Sequence, residues 1–201
     1  SSDINIQDTA AITISSEVNA RSNGNVTIYT TSGNISIGAD VMSTAAAALN
    51  AGDGAGTVAL DTDSGSLTDS GGTVKAGAGG TIDLDASVSI GASSPGNIET
   101  SGAAEVDATA GTNVYINHTG NMDVGTVSGG LAAGNTVSLT STGTMTTSAG
   151  QDITGRNVVL TLAADKLLTV DAATSITATD SVNLISDEME LNSTAGDIIS
   201  V

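Results

Sequence analysis

The side chains of this chain that are able to do chemistry are overwhelmingly carboxylates: 22 Asp and Glu stand against four Lys and Arg, one histidine and no cysteine. Asp61 with Asp63, and Asp83 with Asp85, stand at i and i+2, which puts both members of each pair on one face of an extended strand. Two carboxylates flanking a bond are what glycoside hydrolysis requires. A sugar-cleaving site also draws on stacking rings, and Tyr29 and Tyr115 are the only aromatic residues. His118 has Ser and Asp residues around it in excess, yet no nucleophile elbow singles out one serine. Its place after Tyr115-Ile116-Asn117 reads as a solvated turn residue. The expectation is that the chain is not an enzyme.

The same carboxylates are hard oxygen donors of the kind calcium takes. The densest stretches are Asp61-Thr62-Asp63 with Asp69, and Asp187-Glu188 with Glu190. Neither follows the EF-hand or the nonapeptide calcium-roll spacing. Those six residues are the candidate ligands should calcium be a cofactor, and no other cofactor is implied. Alternatively, they solubilise a rod and keep neighbouring rods from pairing along their sides.

The net charge of −18 excludes nucleic acid and anionic lipid as partners, because binding phosphates needs cations that this chain lacks. Without cysteine there is no disulfide framework and no thiolate chemistry. No apolar run reaches the roughly 18 residues that would cross a bilayer as a helix, so no transmembrane segment is expected. Neither a signal peptide nor an initiator Met precedes Ser1, which suggests a mature product or an excised fragment.

The elements that would position these groups are short strands. Phe and Trp are absent and glycine occurs 25 times, so an ordinary aromatic-anchored core is excluded, while a mean hydropathy of +0.18 argues against disorder. One pattern recurs along the chain: Asp3-Ile4-Asn5-Ile6, Asn25-Val26-Thr27-Ile28, Thr57-Val58-Ala59-Leu60, Thr81-Ile82-Asp83-Leu84, Asn113-Val114-Tyr115-Ile116, Thr136-Val137-Ser138-Leu139, Asn157-Val158-Val159-Leu160 and Ser181-Val182-Asn183-Leu184. Starts 21 to 32 residues apart fit one supersecondary unit per repeat. A second alternation follows in each unit, as at Ile12-Ile14, Ile35-Ile37, Val88-Ile90 and Met122-Val124, and a third signal at Val18, Val41, Val74, Ile98, Ile153, Ile176 and Ile198. Period-two alternation buries one face of each strand, and stacked coils would lay the aliphatics in ladders along an axis.

The spacing therefore predicts an all-β chain, 1–201, forming one β-solenoid segment of about eight three-stranded coils with longer loops around 42–56 and 91–112. The alanine run within 42–50 reads as a loop bulging from one edge. Parallel crossovers make a right-handed parallel β-helix the expected hand. The sequence opens in a strand signal at Ile4 and Ile6 and stops in one at Ile198 and Ile199, with no helix or charged cap at either end, so these four residues are the candidate end-stacking interface. Outward positions mix Thr, Asp, Tyr, Ser, Val and Asn, unlike the uniform Thr rows of an ice-binding face. The Asn-x-Ser/Thr sequons at Asn25, Asn34, Asn117 and Asn192 are no more than this composition yields by chance.

The Gly-Asn-Val-Thr-Ile, Gly-Thr-Ile-Asp-Leu and Asn-Thr-Val-Ser-Leu units, with Thr-Ser-Gly-Asn-Ile and Ala-Gly-Gln-Asp-Ile turns, resemble the filamentous-haemagglutinin-like repeats of large bacterial secreted adhesins over essentially the whole chain. The resemblance implies a right-handed parallel β-helix, export to the extracellular side or cell surface, and a role as stalk or adhesive fibre. The secretion-domain motifs of such proteins are not recognisable here.

Three functions are thus expected in descending order. The first is a non-enzymatic structural or adhesive segment of a bacterial surface fibre, whose partners are adjacent solenoid repeats and a host or neighbouring-cell glycan or protein. The second is a subunit that stacks on copies of itself head to tail. The third is a polysaccharide-binding or polysaccharide-cleaving β-helix, which predicts a groove beside the longer loops after Val41 and Ile90.

Overall fold

Alternating aliphatic and Thr, Ser, Asp or Asn residues give strands with one apolar face, and strands this short bury that face only by stacking on others. A computed structural model describes residues 3–45, 54–102, 104–192 and 198–200. Among them there are strands, turns and bends, and no helix. The first three coils hold three strands each: β1 (Ile4–Asp8), β2 (Ile12–Ile14) and β3 (Val18–Ala20); β4 (Val26–Thr30), β5 (Ile35–Ile37) and β6 (Val41–Ser43); β7 (Thr57–Thr62), β8 (Leu67–Asp69) and β9 (Thr73–Lys75). The fourth has β10 (Thr81–Ala86), a single bridging residue, Ile90, and β11 (Ile98–Ser101). Beyond it follow β12 (Glu105–Ala110), β13 (Val114–Thr119), β14 (Met122–Ser128), β15 (Thr136–Ser141), β16 (Met145–Thr147), β17 (Ile153–Leu162), β18 (Leu167–Val170), β19 (Ile176–Ile185), β20 (Glu188–Leu191) and β21 (Ile198–Ser200).

Every strand pairs in parallel with the strand one coil away, so the chain is a β-solenoid of about eight coils. One internal ladder runs its whole length: Ile6, Ile28, Leu60, Leu84, Ala108, Val127, Ile153, Ile176 and Ile198 are successive register partners. From Ile28 to Ile176 these side chains are at most 1% exposed. Each coil thereby supplies both the backbone partners and the apolar cover of the next.

The recurring tetrapeptide does not stay on one face. Ile4, Val26, Val58, Ile82, Val106 and Val124 form one ladder, whereas Val114, Val137, Val158 and Val182 stack on Ile90 and, through it, on Leu67, Ile35 and Ile12. The sequence places Val114 as the successor of Ile82; in the structure that successor is Val106, in β12. Residues 91–112 are accordingly not one unbroken loop, because β11 and β12 lie within them, and it is 91–97 that bulge.

The change of face has a local cause. In the fourth coil a loop separates Ile90 from Ile98, but in the fifth only Tyr115 lies between their partners Val114 and Ile116, so two faces merge into the single strand β13. The lost corner reappears on the other side. Gly125 and Thr126 form a bulge in β14, and one coil later the chain leaves at Thr147 and re-enters at Ile153. Val88, expected to face inward with Ile90, is 45% exposed, and the alanine run, Ala45 to Ala48, lies beyond its first residue outside the described residues.

The Asn and Asp residues that open many strands have a common task. Asn25 Oδ1 accepts from the Thr57 backbone N–H (2.9 Å), Asn34 Oδ1 from Ser66 (2.9 Å), Asn113 Oδ1 from Thr136 (2.8 Å) and Asp152 Oδ1 from Ser175 (3.0 Å), each one coil further on. A side-chain carbonyl here satisfies a strand-entry donor that would otherwise lack a partner.

Candidate functional site

A concavity lies beside the 91–97 loop. Glu99 of β11, Asn117 of β13 and Thr140 of β15 are register partners on three successive coils and form one outward column. Hydrogen bonds from Ala92 N–H to Gly96 O (2.8 Å) and from Gly96 N–H to Ser93 O (3.2 Å) close the loop on itself and make it a wall. Gly91 starts it at φ +66°, where a Cβ would stand 2.6 Å from the Tyr115 carbonyl oxygen, so only glycine lets the loop leave this close to β13. Between wall and column is a groove of about 320 Å³ lined by Ser94, Pro95, Asn97, Glu99, Asn117 and Thr140.

Its polar groups are held in place. Asn117 Nδ2 donates to both oxygens of Glu99, at 3.1 and 2.9 Å. Asn97 Oδ1 is buried and accepts no hydrogen bond. Along the sequence Asn117 stands out only as a sequon and as the neighbour of His118; Glu99 and Thr140 lie 18 and 23 residues from it, and nothing local joins them. Of the longer loops after Val41 and Ile90, beside which the third reading expects a groove, the second borders this one, and residues 46–53 of the first lie outside the described residues.

A second feature is an acidic face. Asp61 and Asp85 are register partners on β7 and β10, and so are Asp83 and Asp107 on β10 and β12. The two carboxylate pairs read from sequence therefore share one surface. Burial, then the charges of Asp85, Asp63 and Asp83, push the Asp61 carboxyl above its ordinary range. Burial and Asp85 raise Asp83. Burial raises Asp107 as well, helped by Glu105 and Asp83 and opposed by the hydrogen bond that it accepts from the Thr126 N–H. Tyr29 donates its hydroxyl to Asp63, which raises the phenol above its usual range.

The other calcium candidates lie elsewhere. Asp69, at the end of β8, accepts from the Gly71 N–H at 3.0 Å, and Asp187 accepts from the Asp165 N–H at 2.8 Å. Glu188 and Glu190 are exposed on β20, opposite Leu167 and Thr169. Among the described residues no three His, Cys, Asp or Glu side chains gather so as to hold a metal ion.

His118 is not a solvated turn residue. Its side chain is buried on the internal face of β13, in a column Val74, Thr100, His118, Ser141, Leu162. The ring lies 2.9 Å from Thr100 Oγ1 through Nδ1, and through Nε2 is 3.0 Å from the Gly102 carbonyl and 2.9 Å from that of Asn121. Two carbonyls at Nε2 require the proton there, which leaves Nδ1 to accept from the threonine hydroxyl. Burial holds the imidazole below its ordinary pKa against the opposing pull of those carbonyls and of Asp123. Alternation alone marks the position as inward, since it follows Val114 and Ile116 at intervals of two.

Of the end-stacking candidates, Ile4 partners Val26 and is partly buried, and Ile6 is 36% exposed although it belongs to the internal ladder. Ile198 packs partly buried beside Ile176, and Ile199 is in register with Thr177. No helix among the described residues is long and apolar enough to cross a membrane. No protein family, curated protein or solved structure matches this chain.

Proposed function

We propose that this chain is a non-enzymatic length of rod in an extracellular bacterial fibre, stalk or adhesin, built from repeats of the filamentous-haemagglutinin-like kind. The observation that carries this reading is the internal ladder from Ile6 to Ile198, nine rungs without a break despite the transfer of corners between faces. Such a stack transmits load along its axis through hydrogen bonds shared by every pair of neighbours, and its stability grows with the number of rungs. The Gly-Asn-Val-Thr-Ile units support the repeat type, and the acidic surface supports a rod that stays apart from its neighbours.

The test is surface exposure on the source bacterium. Antibodies raised against the chain should label fibres on intact cells, and brief proteinase K treatment should remove the signal. Label that appears only after lysis would overturn the reading.

A second reading, copies stacked end to end, is favoured by apolar side chains exposed in the outermost described coils: Ile6 at one end, and Ile185, Met189 and Leu191 at the other. The mass of the denatured native polypeptide separates the two. A value far above 19.4 kDa means one long chain, and a value near it means a stacking subunit.

A further inference from the structure

We propose that the groove between the 91–97 loop and the Glu99-Asn117-Thr140 column binds a neutral saccharide, with successive sugar rings laid along the column. The proposal adds to the rod reading and does not rest on it.

The lining has the chemistry of a polyol site. Glu99 offers a carboxylate of which the Asn117 amide occupies one direction on each oxygen, leaving further lone pairs for hydroxyl donors. Asn117 adds an amide carbonyl as a further acceptor, Thr140 a hydroxyl that donates or accepts, and Ser94 another from the wall. The two Glu99 oxygens, held side by side by the Asn117 amide, are what the vicinal hydroxyls of a pyranose match. Asn97 contributes the unsatisfied group: its buried Oδ1 lacks a partner, and turning the amide toward a ligand hydroxyl would recover the hydrogen bond now missing. Pro95 supplies the apolar patch against which a ring's C–H face can rest.

Size and spacing agree. A volume of about 320 Å³ lies at the lower end of small-ligand sites, enough for one ring with its neighbour in the open end. Successive rungs rise by about 4.8 Å, close to what one pyranose adds to an extended chain.

Charge selects the class. No cation lines the groove, its one acidic side chain is Glu99, and the chain carries a net −18, so uronates, sulfated sugars and phosphates are repelled. A calcium ion is equally unsuited, since it takes six to eight oxygens and usually several carboxylates, whereas the lining holds one. With no aromatic ring among the lining residues, single-site affinity is weak, on the order of 1 mM, and tighter binding requires several such sites engaged at once.

The experiment uses the whole ¹⁵N-labelled chain titrated with cellobiose, lactose, maltose and N,N′-diacetylchitobiose, with digalacturonate as the acidic comparison. At least one neutral disaccharide should shift the side-chain amide signals of Asn97 and Asn117 and the backbone signals of residues 94–99. Digalacturonate should leave them in place. Asn97→Ala and Thr140→Val should each weaken binding about five- to tenfold without altering the spectrum of distant coils. The proposal is overturned if no neutral sugar moves those signals at concentrations up to about 50 mM, tens of times the affinity expected. It is equally overturned if binding survives both substitutions, or if digalacturonate binds as well. Failure on any of these counts leaves the rod reading standing, because the ladder does not depend on the groove.

Discussion

Thr100 Oγ1 donates to His118 Nδ1 across 2.9 Å inside the solenoid, which fixes a neutral, buried imidazole between Thr100 and Ser141 in its column. Burial keeps the folded ring below its ordinary pKa, while the unfolded chain takes up the proton near pH 6.5. The unfolded state thus gains the proton first, and stability falls as pH drops below about 6.5 until the folded pKa is passed. His118→Gln cannot titrate, so its urea midpoint should fall less than that of the parent between about pH 7.5 and 5. Equal falls in the two proteins would show that His118 contributes nothing to acid sensitivity.

The acidic face acts in the opposite direction. Asp61, Asp83 and Asp107 sit above the ordinary carboxylate range when folded, so they weaken the fold at neutral pH and cease to do so as pH falls through their folded pKa values toward the usual one. Like charges directly opposite on adjacent strands cost roughly 0.2–1 kcal/mol. Asp83→Asn should therefore raise stability at neutral pH by about that amount, with a smaller gain in acid or in about 1 M salt, where the screening length shrinks to about 3 Å. A gain that is the same under all three conditions would mean that packing rather than charge is responsible.

The apolar ladder was open to sequence reasoning because its signal is local: Ile28, Leu60 and Leu84 each stand two residues after another inward aliphatic. What the alternation could not reveal is which face a strand joins. Asn113-Val114-Tyr115-Ile116 has the same form as Asn25-Val26-Thr27-Ile28, yet the first spans two merged faces and the second lies on the remaining one. The deciding facts are the absence of a loop between Val114 and Ile116 and the shortened interval of 18 residues from Ile98 to Ile116. That interval also builds the groove, since it alone brings Glu99 beside Asn117 and makes a wall of the loop before Ile98. His118 was misplaced for a related reason, as Asn and Thr around it suggest a turn while its internal partners come from other coils.

Leu84 stacks between Leu60 and Ala108 and has no exposed surface. Leu84→Ala would place a second alanine next to Ala108 and leave a void that neighbouring β-branched residues cannot fill by rotating. A loss of about 2–5 kcal/mol is expected from guanidinium unfolding, whereas Val88→Ala, on the exposed side of the same coil, should cost under about 0.5 kcal/mol. Similar losses at the two sites would contradict the ladder as the source of stability.

Asn113 Oδ1 accepts from the Thr136 N–H at 2.8 Å, so the residue that opens one strand completes the entry to the next coil's strand. Asn113→Ala removes the acceptor and leaves a donor at a half-buried strand entry, a loss of about 1 kcal/mol. Asn113→Asp keeps the acceptor and should retain most of the stability, because the corresponding Asp152 bonds Ser175 in the same way. Hydrogen exchange gives the sharper reading: the Thr136 amide should lose protection in the alanine variant and keep it in the aspartate variant. An alanine variant with that amide still protected would show that the bond contributes little, and that the asparagine is there for its turn conformation instead.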